Sequence, residues 1–143
     1  SYSTVQNFID ASEFKVLKDS INECIKNYTE SAGLANCFIT HSWFNILENN
    51  GLVAPHIHER SVISGAFYVK TDKKSQITFA NPLRGCKMME IHEKQTEHSS
   101  KLIHVNIQLG MLILFPSYLE HSVNYNEDHE RITISFNTEH EVV

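Results

Sequence analysis

The chain has 143 residues, 41% of them hydrophobic and 20% charged, the make-up of a single globular domain spanning residues 1–143. A net charge of −5 argues against broad electrostatic binding to nucleic acid or to an anionic membrane surface, and no apolar run reaches the length of a membrane-spanning helix. Residues 1–10 show no basic end followed by an apolar stretch, and the three cysteines Cys24, Cys37 and Cys86 are odd in number with no paired spacing. This pattern fits a reducing, cytoplasmic setting, with the thiols read as packing residues or incidental.

In chain order, residues 11–31 form the first predicted element, a helix. Phe14, Leu17, Ile21, Cys24, Ile25 and Tyr28 recur at helical spacing, Ser12 is the expected N-cap and Gly33 the stop. Beyond Gly33 the texture changes to short β-rich runs divided by turn residues: 37–47, 54–58, 61–70, 75–80, 102–107, 111–115, 121–125 and 131–137. About eight strands at this spacing behind one helix predict a mainly β fold, a sandwich, barrel or jelly roll with the helix covering one sheet. Within it, Trp43 and Phe44 read as core and Pro116 as a turn-former. Residues 84–101, with Arg84, Lys87, His92, Lys94 and Glu97, have no clean periodicity and read as a long loop or lid; with residues 49–55 they would frame the mouth of the fold.

Three histidines carry the chemistry. His56 and His58 stand two apart in Pro55-His56-Ile57-His58, a spacing that aims both side chains the same way on an extended chain, about 6.6 Å apart. His121 opens a later segment just past the turn that follows the buried run 111–115, where a neighbouring strand can bring it to the same point. Imidazoles so grouped suit iron, zinc, copper or nickel. Glu59 is adjacent but points the opposite way on a regular strand; a bulge would be needed to make it a ligand. The remaining histidines, at 41, 92, 98, 104, 129 and 140, read as surface or loop residues.

The last strand places Ile132, Ile134 and Phe136 on one face and Arg131, Thr133, Ser135 and Asn137 on the other. That polar face either meets water or lines a ligand pocket, and alternation alone does not choose. Taken on its own strand, Arg131 is a surface residue paired with Glu130 or Asp128. Taken with His121 and Thr133, it is a fork suited to a carboxylate.

Taken together, Trp43-Phe44-Asn45, Pro55-His56-Ile57-His58, Ser64-Gly65-Ala66-Phe67-Tyr68, Phe79-Ala80-Asn81-Pro82, the run from Leu114 to His121 and the run from Arg131 to Asn137 resemble the small 2-oxoglutarate/Fe(II)-dependent oxygenases of bacteria and bacteriophages. The resemblance covers about two thirds of the chain. It implies a double-stranded β-helix, or jelly roll, with a flanking helix, in a bacterial cytoplasm and with phage-encoded members. It also implies Fe(II) held by His56, His58 and His121, and 2-oxoglutarate held by Arg131 with a hydroxyl from Thr133. Asn45 and Tyr68 become second contacts to the keto acid, their plainer readings being a strand amide and a core tyrosine. The wider superfamily has an acidic residue where this chain has His58.

With O2 as co-substrate, such an enzyme couples oxidative decarboxylation of 2-oxoglutarate to oxidation of a further substrate. Three rival readings share the fold. A cupin metalloprotein would use no 2-oxoglutarate, but it needs a glutamate where Val62 and Ile63 stand. A non-catalytic metal- or ligand-binding jelly roll would use the three histidines to hold Zn or Ni structurally. A structural jelly roll with incidental histidines fits the strand count but gives no reason for the pairing of histidines with Arg131. An exposed edge strand would permit a homodimer.

Overall fold

The structure, a computed structural model, describes residues 7–71, 75–94, 96, 99–127 and 129–141 and the backbone of 2–3. Glu97, His98 and Asp128 lie outside the described residues. Two short 3-10 turns, Phe8–Asp10 and Ser12–Phe14, lead into helix α1, Lys15–Ala32. The helix therefore begins later than the periodicity predicts, and Ser12 is not its N-cap. Phe14 holds that place without a side-chain cap, and the Ser12 hydroxyl donates to Glu13 at 3.3 Å. The reason is aromatic packing. Phe8 stacks on Phe44 with ring centroids 3.9 Å apart and meets Phe14 edge-on at 5.1 Å, and the tight turns bring those rings together. At the other end Gly33 takes φ +67°, and Leu34 N–H closes back on the Thr29 carbonyl at 2.9 Å, as the stop signal predicts.

The buried stripe of α1 is Ile21, Ile25 and Thr29, a strict i, i+4, i+8 row. Cys24 falls off that row and is exposed, as is Cys86, so neither thiol packs a core. Thr29 is tolerated inside because its hydroxyl donates to the Lys26 carbonyl at 2.8 Å.

Among the described residues nine strands follow the order β1 (Tyr2–Ser3), β2 (Cys37–Glu48), β3 (Val53–His56), β4 (Ile63–Lys70), β5 (Gln76–Ala80), β6 (Leu102–Asn106), β7 (Leu112–Pro116), β8 (His121–Val123) and β9 (Glu130–His140). All eight strands expected from the sequence are present, with small shifts at their ends; β1 is a two-residue addition that pairs with β2 at Ile46 and Asn45. One sheet runs β1-β2-β9-β4-β7 and the other β3-β8-β5-β6, every pair antiparallel. This is the mainly β jelly roll with one N-terminal flanking helix. No helix among the described residues is long and apolar enough to cross a membrane.

Strand β9 is buried on both faces. Ile134 and Phe136 join Ile9, Ile21, Ile25 and Ile63 in a core between α1 and the five-stranded sheet. On the opposite side, Ala66, Tyr68, Ile77, Phe79, Ile107 and Phe115 form a second core between the two sheets. Each fully buried isoleucine contributes about 1.5–3 kcal/mol, so the helix covers enough apolar surface to hold the sheet's outer face dry. The polar face of β9 is thereby turned toward the second sheet, which decides the question that alternation left open.

Gly65 fits this arrangement by lacking a side chain. It pairs with Phe136 across β4 and β9, and a Cβ there would stand 2.6 and 2.7 Å from two carbons of the Phe136 ring and closer still to a third. Gly65→Ala is expected to lower stability by about 1–3 kcal/mol through overpacking, read as a reduced urea midpoint at unchanged slope. Gly85→Ala, with nothing within 4 Å, should leave the midpoint in place. Equal midpoints for both variants would show that the Phe136 ring yields without cost.

Candidate metal centre

The inner face of the jelly roll holds a cavity of about 110 Å³, room for several waters or one small organic acid. Its lining includes all seven residues singled out in the sequence: His56, His58, His121, Arg131, Thr133, Asn45 and Tyr68. Two regular rows deliver them. Across the five-stranded sheet, Asn45 on β2, Thr133 on β9 and Tyr68 on β4 stand in register. Across the other sheet, His56 on β3, His121 on β8 and Phe79 on β5 do the same.

His56 reaches the interior through a fault in the ladder. Val53 pairs with Val123 and His56 with His121, so Ala54 and Pro55 together face the single Ser122. The extra residue shifts the inside-outside alternation by one step, and Val53 and His56 both line the cavity although three positions apart. Pro55, which has no N–H to give a ladder, sits at that fault. β3 ends at His56, so His58 lies just beyond the strand and not within it as the sequence suggests. The chain stays aligned there because His58 N–H donates to the Ser117 carbonyl at 3.0 Å. Glu59 is exposed in the following turn and is not among the converging groups.

The three imidazoles offer nitrogen atoms that all lie within 4.8 Å of one another, a set that can hold a metal ion. His58 Nε2 and His121 Nε2 are 3.3 Å apart. Two of the rings are oriented by backbone: His56 Nδ1 lies 2.8 Å from the Ala54 carbonyl, and His121 Nδ1 lies 3.0 Å from the Leu119 carbonyl. A carbonyl only accepts, so each Nδ1 carries the hydrogen and each Nε2 presents a lone pair. Phe115 packs on the His121 ring with centroids 4.6 Å apart. Burial pushes the His58 pKa down to about 4, with the neighbouring His121 and His56 acting in the same direction. Burial also lowers His121, against the opposing pull of the Leu119 carbonyl.

Opposite the imidazoles, Arg131 is only 4% exposed, so it is not the surface arginine that its own strand allows. Glu130, its expected ion-pair partner, instead meets Lys70 at 2.8 Å in solvent. The Arg131 guanidinium donates to the Gln76 carbonyl at 3.4 Å and stacks over the Tyr68 ring at 5.0 Å. Tyr68 is fully buried, and among the described residues no group accepts a hydrogen bond from its hydroxyl. Burial raises its pKa, with Arg131 opposing, so it stands as a neutral O–H donor. Thr133 is buried beside it. Asn45 lines the cavity while its amide donates to Ser135 Oγ at 2.8 Å.

Several residues of the site escape the sequence reading. Trp43, expected in the core, lines the cavity with its ring centroid 5.7 Å from that of His58, while Phe44 next to it packs against α1 as expected. Arg84 forms a two-pronged ion pair with Glu120, at 2.7 and 3.1 Å, tying the 81–101 connection to the residue before His121. Ile63, where a cupin would need a ligand, is buried in the helix-side core and faces away from the cavity.

The fold recurs among solved oxygenases. A 2OG-Fe(II) oxygenase family oxidoreductase from Burkholderia pseudomallei matches with a TM-score of 0.62 and 10% identity over 92% of this chain and 54% of its own. A prolyl-4-hydroxylase from Pseudomonas putida gives 0.63 and 11%, over 99% and 71% of the two chains. A viral collagen prolyl hydroxylase from Paramecium Bursaria Chlorella virus-1, solved with 2OG, gives 0.64 and 10%, over 99% and 80%. This chain thus spans little more than half the length of the Burkholderia protein. No curated protein sequence matches the chain. Residues 41–137 match the profile of the family described as "Putative 2OG-Fe(II) oxygenase", and with two thirds of its length inside that match the chain belongs to this family.

Proposed function

We propose that this chain, acting as one jelly-roll unit, is a 2-oxoglutarate- and Fe(II)-dependent dioxygenase in which His56, His58 and His121 hold the metal and Arg131 anchors the keto acid. The observation that carries this reading is the buried Tyr68 hydroxyl, which lies beside Arg131, has no acceptor for its hydrogen among the described residues, and shares the cavity with three converging imidazoles. A buried O–H without an acceptor costs about 1–3 kcal/mol. A carboxylate placed between it, the Arg131 guanidinium and the Thr133 hydroxyl would satisfy it. The donor set therefore fits both groups: neutral nitrogens for a divalent transition metal, and a cation with two hydroxyls for the far carboxylate of a small diacid.

When bound, Fe(II) and 2-oxoglutarate supply the oxidising chemistry: O2 is reduced as 2-oxoglutarate becomes succinate and carbon dioxide, and an oxygen atom passes to a C–H bond of the substrate. The protein's part is binding and exclusion. The Ala54 and Leu119 carbonyls fix two ring tautomers, so their Nε2 lone pairs point inward before any metal arrives. Burial keeps His58 neutral through the physiological range, so protons do not compete there. Three imidazoles in place of two and a carboxylate leave the site one unit more positive, which favours the doubly anionic keto acid. Trp43 and Phe115 wall the metal side with apolar surface.

Anaerobic addition of Fe(II) and then 2-oxoglutarate should produce a weak visible charge-transfer band, and Arg131→Ala should remove keto-acid binding while leaving Fe(II) affinity within a few-fold. Loss of both together, or of neither, would sink the assignment of Arg131. His58→Ala should weaken Fe(II) binding by at least tenfold; unchanged affinity would mean that His58 is not a ligand. The depressed His58 pKa also has a consequence without metal. The unfolded chain takes up a proton near the usual 6.5 and the folded chain only near 4, so the unfolded state binds more protons between these values. Stability of the metal-free protein should therefore fall as pH drops from about 6.5 towards 4, and His58→Gln should flatten that slope in urea midpoints measured against pH.

A further inference from the structure

Behind His58 lies a buried polar chain that the proposed chemistry does not use. Asn137 and Ser64 are register partners on β9 and β4, and Ser64 Oγ donates to Asn137 Oδ1 at 2.8 Å. Ser64 Oγ also lies 2.8 Å from Ser117 Oγ, and both serines are fully buried. The other end of the Asn137 amide, Nδ2, faces His58 Nδ1 at 3.4 Å. The directions of these bonds follow from chemistry. An amide nitrogen donates and cannot accept, so His58 Nδ1 is the acceptor and the ring hydrogen sits on Nε2. That Nε2–H is 3.3 Å from His121 Nε2, a bare lone pair because His121 Nδ1 is committed to the Leu119 carbonyl. One continuous polarity thus runs Ser64, Asn137, His58, His121, Leu119.

In this arrangement His58 is the one imidazole of the three whose inward nitrogen carries a hydrogen. A metal ligand must offer a lone pair there, so the hydrogen has to move to Nδ1 when metal is taken up. Asn137 then faces an N–H with its own N–H, unless the amide turns over to present Oδ1. Turned over, Nδ2 donates to Ser64 Oγ, and the Ser64 hydroxyl is free to donate to Ser117 Oγ. The paired serine hydroxyls can rotate to serve either amide orientation, which an aliphatic pair could not do.

We propose that Asn137 is a positioning residue that sets the His58 tautomer, and that its amide reverses, buffered by Ser64 and Ser117, when metal replaces the His58–His121 hydrogen bond. This rests on His58 being a metal ligand. His56 and His121 face backbone carbonyls, whose direction cannot change. His58 alone faces a reversible partner, so the vacant and loaded sites can each be fully hydrogen-bonded.

The test is long-range 1H–15N NMR of the histidine rings, metal-free and with one equivalent of Zn(II) as a diamagnetic probe. The His58 hydrogen is expected on Nε2 without metal and on Nδ1 with it, while His56 and His121 keep theirs on Nδ1 throughout. A His58 hydrogen already on Nδ1 in the metal-free protein would overturn the proposal. Anaerobic titration with Co(II) supplies the second arm. Asn137→Ala should weaken binding about tenfold, as for other residues that orient a metal-bound imidazole. Asn137→Asp, which accepts from Nδ1–H in both states, should restore affinity to at least the starting level. Equal loss in both variants, with folded spectra and unchanged urea midpoints, would show that Asn137 does not act through the tautomer. If His58→Ala itself leaves Co(II) affinity unchanged, the ligand assignment fails; if His58→Ala loses affinity but the hydrogen never moves, the amide reversal alone fails.

Discussion

Everything in this domain depends on one strand being wanted on both sides. β9 gives its apolar residues to the helix-side core and its polar residues to the space between the sheets. A polar strand face is ordinarily cheapest in water, and here it is kept dry. What compensates is the packing of α1 on the outer face, with Ile9, Ile21 and Ile25 closed over Ile134 and Phe136. The sheet has no alternative register, because a one-residue slip of β9 would send Arg131 and Thr133 into the helix interface and Phe136 into the cavity. The site is thus held in place by the most apolar part of the molecule, on the opposite face of the same strand.

The second sheet solves a different problem, that of aiming three rings at one point from two segments far apart in the chain. Ordinary alternation would put His56 outside if Val53 is inside. The extra residue at Ala54 and Pro55 resets the count, and the carbonyl of Ala54, freed within that fault, is the atom that holds the His56 ring. The irregularity therefore performs two tasks at once, parity and orientation. His121 sits in the sheet's interior, paired on both sides with His56 and Phe79, and is the best-buried of the three rings. His58, beyond the strand end, is held by a single backbone bond to Ser117 and by the Asn137 side chain, and not by a ladder.

The fold was legible because its signals are local and repeated. Eight β-rich runs and one amphipathic stretch ending in glycine correspond to eight strands and α1. The placing of the seven site residues on one cavity was legible too, since inside-outside alternation on β2, β4 and β9 is set by residue spacing. What remained hidden depends on contacts between distant segments. Ser12 has the chemistry of a cap, but the meeting of Phe8, Phe14 and Phe44 decides where the helix starts. Cys24 fits a helical stripe at i+3 and is lost because the sheet selects the i+4 row. Trp43 reads as core because nothing local reveals that His58 will stand beside it. Asn137 was visible on the polar face of β9, but its partners come from β4 and from the two ends of unrelated turns.

The ion pair between Arg84 and Glu120 separates two demands on the same edge of the molecule. The root of the 81–101 connection is fastened to the residue before His121, while Leu83, Met88, Met89 and Ile91 project from it into solvent. Those four side chains bury little, so exchanging them disturbs neither core. A surface can be re-cut there by drift or by selection while the clamp beneath keeps the histidine backbone where it was. Tolerance to change and fidelity of the inner geometry are thus assigned to neighbouring stretches of chain, with a single guanidinium marking the border.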